Sequence, residues 1–236
     1  MYDRENPSPE YRDMVAMYEA LHVEGERTEG KSADETFPGK MLIKHAPLIK
    51  GVIDRVGGAD SILDYGAGKG LGYREKDLRL TKTLQVESIQ SYWGVEDICC
   101  YDPGYEPFSK LPTGRFDGVI CTDVLEHITE PDVPWILEEM FSYARNFVYA
   151  NVACFPAVKL LPNGQNAHCT IHPPEWWAGV VHAVAMRHTE ISYHLVMTEK
   201  TGPYKKFGFA KNRRTVHKTV ERIVERSSPG ETQERS

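Results

Sequence analysis

The chain lacks any apolar run of the roughly 20 residues needed to span a bilayer. Its opening stretch, MYDRENPSPEYRD, is too polar to serve as a secretory signal. There is no internal repeat, so a single non-repeating domain is expected. Positive charge is not in surplus: 28 Lys and Arg stand against 34 Asp and Glu, a formal net charge of −6. That balance disfavours a dedicated nucleic-acid or anionic-membrane binder, which shows a basic face. CxxC pairs are missing, and the cysteines (Cys99, Cys100, Cys121, Cys154 and Cys169) are odd in number. Reduced thiols in or beside apolar runs, and a cytoplasmic location, are expected.

What is present suffices for one sizeable core: 236 residues, 41% of them hydrophobic. Three units are expected: an N-terminal helix and loop over 1–36, a main domain over 37–211, and a charged tail over 212–236 that starts as a helix and ends in disorder. Ser8-Pro9-Glu10 reads as a helix start, followed by Val15, Tyr18 and Leu21 at helical spacing. Pro38 opens a second predicted helix, kinked at Pro47 and ended by Gly57-Gly58. Five short apolar runs follow: 61–65, 97–102, 116–122, 146–152 and 190–199. Strands alternating with helices predict a parallel, doubly wound α/β sheet. The basic stretch from Lys200 to Arg214 reads as a solvated charged end.

SILDYGAGKG, residues 61–70, runs from an apolar strand into Asp64 and then Gly66, Gly68 and Gly70. Glycines there let the backbone turn tightly and approach a ligand closely. A dinucleotide loop is the obvious rival, but its pyrophosphate would meet the Asp64 carboxylate and be repelled. A ligand carrying an ammonium or a sulfonium would be attracted, and S-adenosylmethionine carries both without phosphate. CCYDPGY places Asp102 at the end of the next apolar run, where a carboxylate can accept from both ribose hydroxyls. FDGVICTDVLEHI supplies another strand, then Thr122, Asp123 and Val124 at the carboxyl edge of the sheet.

LDYGAGKG, YDPG and FDGVICTDVLEHI resemble the glycine motif, ribose-binding acid and fourth-strand motif of class I S-adenosylmethionine-dependent methyltransferases. The resemblance covers about residues 37–200. Together with TFPG and NAHxTxxPPEWW, these motifs resemble a bacterial and phage-type subgroup associated with surface-glycan or specialised-metabolite modification. The resemblance implies a Rossmann-like seven-stranded sheet with its last strand antiparallel and N-terminal helices capping the site. It implies S-adenosylmethionine as cofactor, held by Asp64, Gly66, Ala67, Gly68, Gly70, Asp102, Pro103, Thr122, Asp123 and Val124. One departure stands out: Asp64 and Asp102 lie well beyond the usual spacing of about 20 residues. An inserted helix or flap is expected over 73–97. The stretch from Asp102 to Asp117 is short, so a reduced or missing third strand is expected, with Phe108 or Leu111 left to cover the adenine. Phe37 and Lys40 are candidates to touch the cofactor.

Methyl transfer needs alignment, exclusion of water and, for a hydroxyl or protonated amine, a base. Histidine suits that role near neutral pH. His127 falls one helical turn after Asp123. The stretch GQNAHCTIHPPEWW, 164–177, follows the 146–152 strand, and its Pro pair opens a helix. Asn166, His168 and His172 then sit on the loop facing the ligand crevice. His168 is the first candidate for general base or acceptor ligand, with His127 and His172 behind it. Asn166, Trp176 and Trp177 are the substrate-binding candidates, one Trp being left to pack on the sheet. His22, His45, His182, His188, His194 and His217 read as surface or packing residues. His168, Cys169 and His172 have zinc-like spacing but run into Pro-Pro without a second ligand pair, so no metal is expected.

The expected function is methylation of a small polar acceptor such as a sugar, sugar nucleotide or phosphorylated metabolite, at oxygen before nitrogen. The alternatives are an RNA or protein methyltransferase and a non-catalytic binder of the cofactor or its demethylated product. A DNA amino-methyltransferase is disfavoured because its Pro-Pro motif would follow the fourth strand, where TDVLEH stands instead. Acceptor identity and oligomeric state are not encoded in any motif found.

Overall fold

The computed structural model describes residues 2–26, 30–201 and 216–226. Lys205, Lys206, Arg213 and Arg214 of the basic stretch lie outside them. Among the described residues, no helix is long and apolar enough to cross a membrane.

The helices are α1 (Pro9–Glu24), α2 (Leu42–Arg55), α3 (Ile89–Trp93), α4 (Val133–Tyr143) and α5 (Pro174–Ala185). The strands are β1 (Ser61–Tyr65), β2 (Leu78–Arg79), β3 (Gln85–Val86), β4 (Asp97–Tyr101), β5 (Phe116–Thr122), β6 (Ala144–Ala153), β7 (Ser192–Thr201) and β8 (Val216–Val224). Six strands form one mixed sheet in the order β4-β1-β5-β6-β7-β8. The first five are mutually parallel, and β8 runs antiparallel to β7. β2 and β3 form a separate antiparallel pair.

Alternation along the central strands sends side chains to two cores. Leu63, Tyr65, Val119, Cys121, Val148 and Ala150 face one layer, packed on α1, α4 and α5. Ile62, Ile120, Phe147 and Tyr149 face the other, against α2 and α3. Both faces are covered, as a parallel sheet requires. The chain leaves β1 for β4 on one side and returns to β5 on the other. The carboxyl ends of β1, β4 and β5 therefore meet at a topological switch point, where open α/β sheets bind ligands.

Three expectations change and one holds. The sheet has six strands among the described residues, not seven. Between Tyr101 and Phe116 stands only a short 3-10 turn, Glu106–Phe108, where the reduced or missing strand was expected. The predicted start of the charged tail is strand β8, not a helix. The predicted helix at Pro38 begins instead at Leu42, because Phe37 (φ 48°) and Gly39 (φ 70°) take left-handed conformations that a right-handed helix cannot use. The insertion over 73–97 holds the β2–β3 pair and α3.

α1 is fixed at its start by a buried polar network. Ser8 Oγ accepts from the Tyr11 N–H at 3.0 Å and donates to Asp132, whose Oδ1 also accepts the Ser8 N–H at 3.0 Å. Such an N-cap contributes about 1 kcal/mol. The cap sets the direction in which α1 runs across the carboxyl ends of the strands.

Candidate functional site

The glycine loop follows β1 and is pressed from above by residues 37–39. Every backbone N–H from Gly66 to Leu71 is taken within the protein. Gly66 and Ala67 donate to the Tyr101 carbonyl, at 2.7 and 3.1 Å. Gly68 donates to Asp102 Oδ2 at 2.8 Å. Lys69 donates to Phe37 O, Gly70 to Ala67 O and Leu71 to Pro38 O, at 2.9–3.0 Å. The glycines are required by crowding. A Cβ on Gly66 would stand 2.4 Å from a Val124 methyl, and one on Gly68 would stand 2.5 Å from Phe37 O. A phosphate cradle needs free N–H groups pointing at the ligand. This loop has none to offer.

Carboxylate is what the loop presents instead. Asp64 is buried at the end of β1, with Oδ2 accepting from the Tyr73 hydroxyl at 2.8 Å. Its Oδ1 has no partner. Burial pushes its pKa up to about 7, with the Tyr73 bond opposing and Asp102 adding to the rise. Asp102, after β4, accepts Gly68 N–H on one oxygen and Gly104 N–H, at 2.9 Å, on the other. Burial also raises its pKa, against those two bonds and Lys69. Each carboxylate oxygen keeps a further lone pair for a ligand hydroxyl.

Around these groups stands an aromatic and cationic wall that was not expected. Lys69 Nζ lies 3.1 Å from His22 Nδ1 and 4.9 Å from the Tyr105 ring centre. His22 stacks near Phe37 and Tyr105, at 5.0 and 4.9 Å between ring centres. Burial, then Lys69 and Lys159, lower its pKa to about 4. His22 is therefore a neutral packing residue beside the glycine loop, the second of its two expected roles. A cleft of about 520 Å³ opens between α1 and the turn after Asp102, lined by Ala16, Glu19, Ala20, His22, Gly104 and Tyr105 among others. Phe108 packs 3.2 Å from the Cβ position of Gly70, whereas Leu111 is exposed. Lys40 pairs with Glu75, and Phe37 lies in the wall with Tyr18 and Lys159. Pro103 is in the turn that follows Asp102.

A second set of groups gathers after β5. Thr122 ends the strand opposite Asn151 of β6. Asp123 follows with φ 55° and exchanges two hydrogen bonds with the Asn151 amide. Glu126 is fully buried in the next turn; Oε1 accepts the Ala153 N–H at 3.0 Å, and Oε2 has no partner. Burial, then Asp123, raise its pKa to about 8. His127 Nδ1 lies 2.8 Å from the Ala167 carbonyl and 2.7 Å from the Tyr18 hydroxyl. His168 Nδ1 lies 2.6 Å from the Phe155 carbonyl. A carbonyl only accepts, so Nδ1 carries the proton in both rings and the lone pair sits on Nε2. Burial lowers both pKa values, His127 to about 3. The rings meet edge to face at 4.8 Å.

Residues 155–170 bring His168 there. Thr170 N–H and Oγ1 bond to the Glu126 and Ile128 carbonyls, at 3.1 and 2.6 Å. Asn166 braces the bend, its Oδ1 accepting from Ala157 and His168 N–H groups and its Nδ2 donating to Ala157 O. Both ends of its amide are engaged by the loop. Trp177 is fully buried in the core, the place expected for one of the two tryptophans. Trp176 stacks on His172 at 4.1 Å, and His172 bonds Glu130 at 2.8 Å, so this pair is engaged apart from His127 and His168. His45, His182, His188 and His194 bond Tyr149, Tyr193, Glu138 and Glu221.

No protein-family model matches the chain, and no curated relative matches it. Among solved structures, it is similar to an O-methyltransferase family protein from Burkholderia thailandensis, with 16% identity over 94% of this chain and 68% of that one. The TM-score is 0.42, a likeness too remote to assign a family.

Proposed function

We propose that the protein is an S-adenosylmethionine-dependent methyltransferase acting on a hydroxyl of a small polar acceptor. The observation that carries this reading is the orphaned, buried Oδ1 of Asp64, beside a glycine loop whose amides are all consumed. A buried carboxylate oxygen without a partner costs about 1–3 kcal/mol or more. A ligand ammonium removes that cost, and a phosphate adds to it. Asp102, one strand away, supplies the acceptor pair for a ribose diol. Phe108 and Tyr105 give apolar cover near Gly70.

The residues present therefore fit the cofactor, whose sulfonium supplies an electrophilic methyl group when bound. The chain's own part is to hold the acceptor in line and activate its oxygen. His168 is assigned that activation. Its ring is fixed by the Phe155 carbonyl, its lone pair lies on Nε2, and Asp123 is close enough to favour its charged form. The net negative charge and the acidic lining of the α1 cleft, which includes Glu19, Glu24 and Glu106, support a small acceptor over RNA.

The test uses purified protein, cofactor labelled in its methyl group, and a cell extract whose products are separated by size. Label is expected in the small-metabolite fraction. Label in RNA or protein would overturn the acceptor class, and label in no fraction would overturn turnover itself.

A further inference from the structure

Three metal-ligating side chains converge after β5. One carboxylate oxygen of Glu126 and one ring nitrogen each of His127 and His168 lie within 4.8 Å of one another. Both imidazole protons are committed to the carbonyls of Ala167 and Phe155. Glu126 Oε2 is buried and accepts nothing. Of the nearby cations, Lys159 is paired with Glu26 at 2.7 Å and covers the Phe37 ring, and Lys200 lies over the Phe155 ring at 4.1 Å. An electron-pair acceptor is missing from the middle of this set.

We propose that Glu126, His127 and His168 form the binding site of one divalent transition-metal ion. Two neutral imidazoles and one carboxylate are the donor set of open, three-ligand sites for zinc and neighbouring ions. Donors on one such ion, each about 2.0–2.2 Å from it, stand roughly 3–4 Å apart. The present spacing is within reach of that by small side-chain rotations. The supporting shell is already built. Each imidazole has a backbone carbonyl on its second nitrogen, and Glu126 Oε1 is held by the Ala153 N–H. The loop spacing of His168, Cys169 and His172 did not reveal this site, because His172 turns away to Glu130 and the second histidine comes from the turn after β5.

An ion here has open positions, and its use rests on the methyl-transfer reading above. An ion held by Glu126, His127 and His168 would lower the pKa of an acceptor hydroxyl, whose proton would pass to solvent. The oxygen lone pair then forms the bond to the methyl carbon, while the carbon–sulfur electron pair returns to sulfur. With its Nε2 lone pair on the ion, His168 would serve the activation as a ligand in place of a base.

The site is tested by titrating chelator-stripped full-length protein with Zn²⁺ in a calorimeter and with Co²⁺ by visible absorption. One ion per chain is expected, with Glu126→Gln and His168→Ala each weakening binding roughly 100-fold or more. Cys169→Ser should bind as the parent does. Absence of binding at millimolar ion would overturn the site. So would equal binding by Glu126→Gln and His168→Ala, with both variants shown folded by circular dichroism. S-adenosylhomocysteine binding is measured on the same samples. Ion binding without nucleoside binding would sink the methyl-transfer reading and leave the metal site standing, and the reverse would sink the site alone.

Discussion

Two regions of one sheet edge hold a buried carboxylate with an idle oxygen, and they are built in opposite ways. After β1, Asp64 belongs to a stretch continuous in sequence, whose geometry comes from backbone: three left-handed glycines, amides tied to Tyr101, Asp102 and residues 37–38. After β5, Glu126 is one corner of a set whose other corners are its neighbour His127 and the distant His168. The first region presents negative charge to a ligand. The second presents three electron pairs to one point. α1 joins them, because Tyr18 touches His127 on one side and packs on Phe37 and the Gly104 turn on the other. Burial raises both carboxyl groups for the same reason, to about 7 and about 8. What differs is the partner proposed for each, a hydrogen-bond donor in one case and a Lewis acid in the other.

The sharpest way to separate the regions is His168→Ala. Label transfer should fall roughly 100-fold or more, the scale of a lost acid–base or ligand group. Affinity for S-adenosylhomocysteine should change less than about twofold, because Asp64 and Asp102 are untouched. Equal losses of both would mean that the regions are one site and that the division drawn here is wrong.

A smaller effect tests the wall between α1 and the glycine loop. His22 is held at about 4 by burial and the nearby lysines, below its unfolded value near 6.5. Below pH 6.5 the unfolded chain takes up a proton that the folded one refuses. The stability contributed by neutral His22 is therefore full above about pH 6.5 and declines as pH falls toward 4. Urea unfolding at pH 7.5 and 5 should show His22→Gln losing roughly 1–2 kcal/mol less than the parent over that interval. Parallel losses would place His22 in solvent and remove it from the wall.

Much of this was legible in the sequence, and unevenly so. SILDY and FDGVICT became β1 and β5 residue for residue, because buried parallel strands are short apolar runs bounded by turn signals. Asp64 and Asp102 were singled out because their motif is local. His168 was singled out from its place between strand and helix, but its partner Glu126 was passed over inside DVLEHI, although a Glu beside a His was there to be read. His22 was left as either a surface or a packing residue because nothing in its own helix announces Lys69 or Tyr105; only the path of α1 brings them together. β8 was read as the start of a tail for a different reason. Val216, Val220 and Val224 recur every fourth residue, a spacing that fits one face of a helix and one face of a strand equally well. The choice falls to the strand because β7 offers an unpaired edge.

The central claim is that Asp64 Oδ1 waits for a cationic ligand, and calorimetric titration of S-adenosylmethionine into the wild-type protein and Asp64→Asn tests it most directly. The account predicts saturable one-to-one binding to the wild type. It predicts binding weaker by roughly 10- to 100-fold in the variant, the scale of one charge-assisted hydrogen bond, with an unchanged melting temperature or a higher one. A wild-type protein that does not bind, or a variant that binds equally well, would contradict it.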